Sequence, residues 1–146
     1  MEFCLESTSG RPFKLSEITT PLVIFFYPRD NTPGCTIENQ DFSRLYPEFV
    51  ASGYEVVGIS RDKHKTHCNF QAKFGLTHHL LADPEETVCQ MFNVMKNKTM
   101  YGKPVRGIER STFILDNNKQ IIKEWRKVTV TNHAQEVLEY IRSELS

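Results

Sequence analysis

Four cysteines, at positions 4, 35, 68 and 89, are the residues of this sequence best suited to covalent chemistry. A deprotonated thiol is both a nucleophile and a metal ligand. No two of them form a CxxC pair, which excludes a disulfide oxidoreductase of that type. Cys35 stands apart by its surroundings. It follows a run broken by Pro28, Asp30, Asn31, Pro33 and Gly34, and it precedes Phe42, Leu45, Tyr46, Phe49 and Val50 at helical spacing. A thiol in the first turn of a helix meets backbone N–H groups without intrahelical acceptors and the positive end of the helix dipole, and both favour the thiolate. Position alone leaves a second reading open, a buried cysteine acting as a small hydrophobe.

The other cysteines read differently. Cys89 lies beside Val88 and Phe92 on an apolar helix face, as a buried structural residue would. Cys4 precedes Leu5 in an edge strand and reads as incidental. His64 and Cys68 are at i, i+4 with His67 between them, a spacing that can put two metal ligands on one face. A metal site would need two further ligands, and none stands nearby, so these read as solvated helix residues. His78 and His79 read as residues of a surface turn. No metal and no cofactor is expected. Arg106 and Trp125-Arg126-Lys127 form a modest basic cluster, and 101–104 reads as a loop.

The elements that would position Cys35 follow from hydrophobic patterning. Leu22 to Phe26 is a short apolar run, read as a buried central strand. A helix follows to about Ala51 and stops near Gly53. Tyr54 to Ser60 reads as a strand, Lys65 to Phe74 as a helix ended by Gly75, and Leu80 to Ala82 as a strand. Asp83 and Pro84 are expected to cap and open a third helix. Ser111 to Asp116 and Gln120 to Trp125 read as a hairpin about Asn117-Asn118, and Thr131 or Asn132 as the cap of a last helix reaching Ser143. The order β-α-β-α-β-α-β-β-α predicts an α/β fold of thioredoxin-like architecture, a mixed central sheet with helices on both faces. Cys35 then falls at the C-terminal end of a central strand, where open α/β sheets bind ligands.

With 146 residues the chain fits one domain, 1–146. Eighteen basic and eighteen acidic residues cancel, and no basic run stands out, so neither nucleic acid nor a membrane surface is an expected partner. The longest apolar stretch, Leu22 to Tyr27, is too short to span a bilayer. The N-terminus lacks the pattern of a secretory signal, and the scattered cysteines suit reduced thiols, so a cytoplasmic location is expected.

The segment Phe25 to Cys35, FFYPRDNTPGC, resembles the active-site segment of the peroxiredoxins, in which a Pro is followed four residues on by Thr or Ser and three further by Cys. Here these are Pro28, Thr32 and Cys35. The stretches YPRDNTPGCT, VVGISRD, MYGK, GIERSTF and WRKV are similar to the bacterioferritin-comigratory-protein branch, also called peroxiredoxin Q, in the same order from Tyr27 to Val128. The resemblance implies a hydroperoxide-reducing enzyme. Its peroxidatic cysteine would be Cys35, its thiolate attacking a peroxide oxygen to give a sulfenic acid. Arg110 would stabilise the thiolate and the developing oxyanion, Thr32 would orient the thiolate and the peroxide, and Pro28 would shield the site from water. Arg126, also in a matching segment, would sit near Arg110 or at a solvated strand end.

The sequence departs from the branch at the second cysteine. Many of its members carry a resolving cysteine five residues after the first, where this chain has Gln40; others carry one near what aligns with Gln71 or Ala72. Cys68 lies one helical turn before these and is the tentative resolving residue; the alternative is a one-cysteine enzyme that borrows an external thiol. The resemblance implies recycling by thioredoxin or a similar dithiol, and a monomer. The competing class is a thioredoxin-fold binding or chaperone-like module without turnover, which a rapid-mixing peroxide assay separates from an enzyme.

Overall fold

The computed structural model describes residues 1–145. The central strand is β3 (Leu22–Phe26), whose side chains alternate between two cores, as the two-residue period of a strand requires. Val23 and Phe25 face one core, and Leu22, Ile24 and Phe26 the other. All five are fully buried, so the strand reads as a continuous apolar run. It lies parallel to β4 (Glu55–Ser60), which lies parallel to β5 (His79–Ala82). On its other side β3 pairs antiparallel with β8 (Ser111–Leu115), which pairs with the edge strand β9 (Ile121–Trp125). Strands β1 (Cys4–Ser7) and β2 (Phe13–Lys14) extend the far edge, giving the order β2-β1-β5-β4-β3-β8-β9. Cys4 is therefore on the second strand from the edge, since β2 covers β1.

Helices α1 (Pro33–Ala51), α2 (His64–Phe74) and α4 (His133–Glu144) supply the first core, through Phe42, Phe49, Phe70, Val137 and Leu138. The short α3 (Thr87–Met91) and the 3-10 turn Leu15–Glu17 close the second, with Val88, Cys89 and Leu15. The architecture is the expected mixed sheet with helices on both faces. Gly58 on β4 leaves room for the first core: a Cβ there would lie 2.8 Å from Phe25 Cζ and 3.2 Å from Leu80 Cδ2.

Two features fix α1 against its neighbours. Pro47 inside the helix removes the N–H that would bond Ser43 C=O. The Thr77 hydroxyl donates to that carbonyl at 2.9 Å instead, tying α1 to the α2–β5 loop. At the C-terminus of α2, before that loop, Gly75 (φ 60°) gives the left-handed turn expected of it.

Some expectations are corrected. Helix α3 starts at Thr87, after the left-handed Glu86, because residues 83–86 form a turn in which Glu86 N–H donates to Asp83 C=O at 3.0 Å. The Asp83 carboxylate still bonds the helix, accepting from Cys89 N–H at 2.7 Å. The last helix starts at His133 after Asn132, whose side chain makes no cap bond. The expected loop 101–104 is the turn of a two-stranded ribbon, β6 (Met95–Met100) and β7 (Lys103–Ile108), with Tyr101 and Gly102 both at positive φ. His67 and His78, expected at the surface, are fully buried. Among the described residues no helix is long and apolar enough to cross a membrane.

Candidate active site

The turn that carries Cys35 is built from its sequence. Asn31 takes a left-handed conformation (φ 61°) and reverses the chain after β3; Thr32 is extended; Pro33 opens α1, where a missing N–H costs nothing. The first i→i−4 bond is Thr36 N–H to Thr32 C=O, 2.8 Å, so the N–H groups of Gly34 and Cys35 precede the helical ladder. Cys35 is 1% exposed, and its sulfur sits at the positive end of a nineteen-residue helix.

Arg110 reaches this turn from across the sheet. Ser111 pairs with Phe26, so Arg110, one residue earlier, comes level with the loop leaving β3. Its carbonyl accepts Val128 N–H at 3.0 Å, which pins its backbone. Its Nη2 lies 3.4 Å from Cys35 Sγ, and its Nη1 donates to Glu38 Oε1 at 2.5 Å. Gly34 leaves room for the guanidinium: a Cβ there would touch Nη2 at 3.4 Å. Burial alone would loosen the proton of Arg110, but the adjacent Glu38 and Cys35 outweigh it and hold the group more firmly charged than usual.

Glu38 is the functional residue that the motif reading missed. It is 1% exposed, one turn beyond Cys35, and its Oε2 has no hydrogen-bond partner among the described residues. Burial pushes its carboxyl up to about 7, against the pull of Arg110 and with a smaller push from Asp41. A signal was available: positions 35, 38, 42, 45 and 49 form one helical stripe, and a glutamate inside an apolar stripe is out of place unless it has a partner.

The remaining sequence candidates fall as follows. Pro28, Arg110, Val128, Lys96, Lys98 and Lys127 line an open cleft of about 780 Å³. Thr32 is at the N-cap, and its hydroxyl donates to Arg29 C=O at 2.9 Å, with no bond to Cys35. Arg126 lies away from the site: it donates to the carbonyls of Phe92 and Asn93 at 3.0 Å and stacks over Phe113. Arg106 pairs with Glu86. Cys89 is buried, and burial, reinforced by Asp83, pushes its thiol well above the usual range.

Cys68 is not brought to Cys35. Its Sγ lies 3.4 Å from His64 Nε2, and that nitrogen lies 3.1 Å from Ser7 C=O on β1. Strands β4 and β5 separate β1 from β3, an offset on the order of 14 Å at ordinary strand spacing. His67 turns the other way, into the core, so the His64, His67 and Cys68 side chains do not converge. The acidic group that does converge is Asp30, Asp62 and His67, with ligand atoms within 4.8 Å of one another. Its closest pair, His67 Nδ1 and Asp30 Oδ2 at 2.6 Å, has the spacing of a hydrogen bond. Two ligands of one tetrahedral zinc ion stand roughly 3.4 Å apart.

Residues 1–124 match the AhpC/TSA family. Peroxiredoxin Bcp of Xanthomonas campestris is 51% identical over 122 residues, 84% of this chain and 76% of its own length. Peroxiredoxin Bcp of Bacillus subtilis is 40% identical over 139 residues, 94% of this chain and 88% of its own length. Among solved structures, Xanthomonas campestris peroxiredoxin Q superposes with a TM-score of 0.93 at 45% identity, covering 99% of this chain and 92% of that one. A structure of the bacterioferritin comigratory protein of that organism, studied for alkyl peroxide reduction with trapped intermediate and ligand complexes, superposes equally well at 44% identity, with the same coverage.

Proposed function

The chain belongs to the AhpC/TSA family and is a thiol-dependent peroxidase, and on that premise we propose that Cys35 is its peroxidatic residue and Arg110 the cation that activates it. The observation that carries this reading is the 3.4 Å approach of Arg110 Nη2 to a sulfur held in the first turn of α1. Arg110 and the helix N-terminus together favour the thiolate. A hydroperoxide enters through the cleft beside Pro28 and Arg110. The thiolate attacks the outer oxygen, the O–O bond breaks, and the departing alkoxide or hydroxide takes a proton to leave as alcohol or water. Cys35 becomes a sulfenic acid. Charge that starts on sulfur ends on the leaving oxygen, and a guanidinium with donors spread across a plane follows it without reorganising. Thr32, at the cap of the same helix, is the proposed contact for the peroxide, once its hydroxyl turns from Arg29. Pro28 forms part of the cleft wall and offers no N–H to compete with substrate.

The enzyme acts on hydroperoxides and takes its electrons from a thiol. The proposed reductant is thioredoxin or a similar dithiol, acting on a monomer in the cytoplasm. Cys68 is the proposed resolving residue: it is half-buried on α2, and its Sγ lies 3.4 Å from His64 Nε2. A disulfide needs Cα atoms roughly 4.4–6.8 Å apart, so both the Cys35 turn and α2 must open first. The test is rapid mixing of reduced protein with hydrogen peroxide and an alkyl hydroperoxide, wild type against Cys35→Ser. Folded Cys35→Ser protein with no peroxide consumption is expected; a comparable rate in that variant would place the chemistry elsewhere.

A further inference from the structure

The segment around Cys35 is bonded on both sides to one neighbouring unit, α2 with the loop into β5. Upstream, Asp30 is 6% exposed, and its Oδ2 lies 2.6 Å from His67 Nδ1. Its Oδ1 accepts the Tyr27 hydroxyl at 2.5 Å. The other ring nitrogen of His67 lies 2.9 Å from Leu81 C=O on β5. The fully buried ring therefore joins Asp30 to β5 through both of its nitrogens. Downstream, Asn39 donates from Nδ2 to Cys35 C=O at 3.0 Å and accepts at Oδ1 from His78 Nε2–H at 2.9 Å. None of these groups bonds Cys35 Sγ or Arg110. The peroxide step has no use for them, yet all four are buried, and His67, Asn39 and His78 fully so.

We propose that Asp30 with His67, and Asn39 with His78, are positioning residues that clamp the Cys35 turn closed and so set how the sulfenic acid divides between a reducing thiol and a second peroxide. This rests on Cys35 as the peroxidatic residue. A sulfur that is 1% exposed is out of reach of a bulky thiol but open to the small peroxide that the cleft admits. In the closed turn the sulfenate can attack a second hydroperoxide, taking one oxygen and releasing alcohol, to give sulfinic acid. In the open turn a thiol attacks the sulfenic sulfur, forming a disulfide and releasing water. Opening separates Asp30 from His67 and Cys35 from Asn39. Each separation leaves buried polar groups without their hydrogen-bond partners, so both clamps resist opening.

Asp30→Asn is a clean probe. The new amide keeps the side chain's shape, but when its oxygen accepts from Tyr27 its NH2 group faces His67 Nδ1, so the carboxylate's hydrogen bond to the ring is lost. The experiment uses the full chain carrying Cys68→Ser, so that only an added bulky thiol, glutathione, can reduce the sulfenic acid. A pulse of hydrogen peroxide in the presence of that thiol is followed by intact mass and peptide mapping. Asp30→Asn and His67→Gln are expected to shift the Cys35 product from sulfinic acid toward mixed disulfide by about tenfold, the change that one lost hydrogen bond's stabilisation gives an opening equilibrium. Asn39→Ala should act in the same direction, and it serves where Asp30→Asn does not fold. Val94→Ala, a cavity in the opposite core, should leave the ratio unchanged. An unchanged ratio in the clamp variants, or an equal shift in Val94→Ala, overturns the clamp while leaving Cys35 as the oxidised residue. Oxygen found on a residue other than Cys35 in the parent overturns both readings.

Discussion

Glu38 and Cys35 share one guanidinium: Arg110 gives Nη1 to the carboxylate at 2.5 Å and holds Nη2 3.4 Å from the sulfur. The two acidic groups are one turn apart on α1 and compete for the same positive charge. Arg110 is held charged by both, whereas Glu38 is restrained from ionising by burial with one oxygen unbonded.

Arg110→Met keeps the length of the side chain and removes its charge and donors. The peroxide step should slow by about 10²–10³, the usual loss when one donor to a developing oxyanion is removed. Alkylation of Cys35 should move to more alkaline pH, because nothing but the helix N-terminus then supports the thiolate. Peroxide consumption measured beside the alkylation profile checks both; no change in either would place Arg110 outside the chemistry.

Glu38→Gln tests the competition. The carboxyl of Glu38 titrates at about 7 in the fold, above its ordinary 4.5, and burial is the main cause. A raised carboxyl contributes stability that is complete below about 4.5 and lost as pH rises through about 7. Denaturant midpoints of the wild type should thus fall across that window, and those of Glu38→Gln should stay flatter. The alkylation profile of Cys35 should lose any inflection near 7 in the variant. An identical pH dependence of stability in the two proteins would mean that Glu38 is ionised throughout.

His78 predicts the opposite slope. Burial, then the neighbouring His79, pushes its imidazole down to about 3, and its Nδ1 has no hydrogen-bond partner among the described residues. Stability from a depressed histidine is present above about 6.5 and lost as pH falls toward 3. His78→Gln, which can still donate to Asn39, should unfold less readily than the wild type as the pH is lowered through that range. Circular dichroism against pH decides it, and matching acid transitions would refute the assignment.

Cys68→Ser should slow turnover coupled to thioredoxin and speed overoxidation of Cys35, because the sulfenic acid then waits for an external thiol. Peptide mapping of the oxidised wild type should find a Cys35–Cys68 disulfide. Unchanged turnover and no such link would make this a one-cysteine enzyme.

Much of the frame was legible in the chain itself. The apolar run 22–26, the helical stripe from 42 to 50 and Gly75 each carry a local signal strong enough to survive tertiary packing. The ribbon at 95–108 was not legible, because MKNKTM has no apolar alternation: residues 97 to 106 all face solvent, and its pairing comes from the turn. The roles of His67 and His78 were hidden for another reason. A histidine carries no pattern that reveals its partner, and Asp30 and Asn39 lie 37 and 39 residues away in sequence. Glu38 lies between these cases, because its place in an apolar stripe hinted at a buried partner but could not say which cation would come from 72 residues on.

The sealed thiol of Cys89 gives the molecule an internal clock. It is wholly buried on the inner side of α3, with its proton held tightly by burial and by Asp83, so a labelling reagent meets it only when the second core comes apart. Cys35 needs only one turn of α1 to open. Timed labelling of both thiols in one sample therefore reads two motions at once, and the gap between their half-lives measures how far the catalytic turn moves independently of the body that holds it.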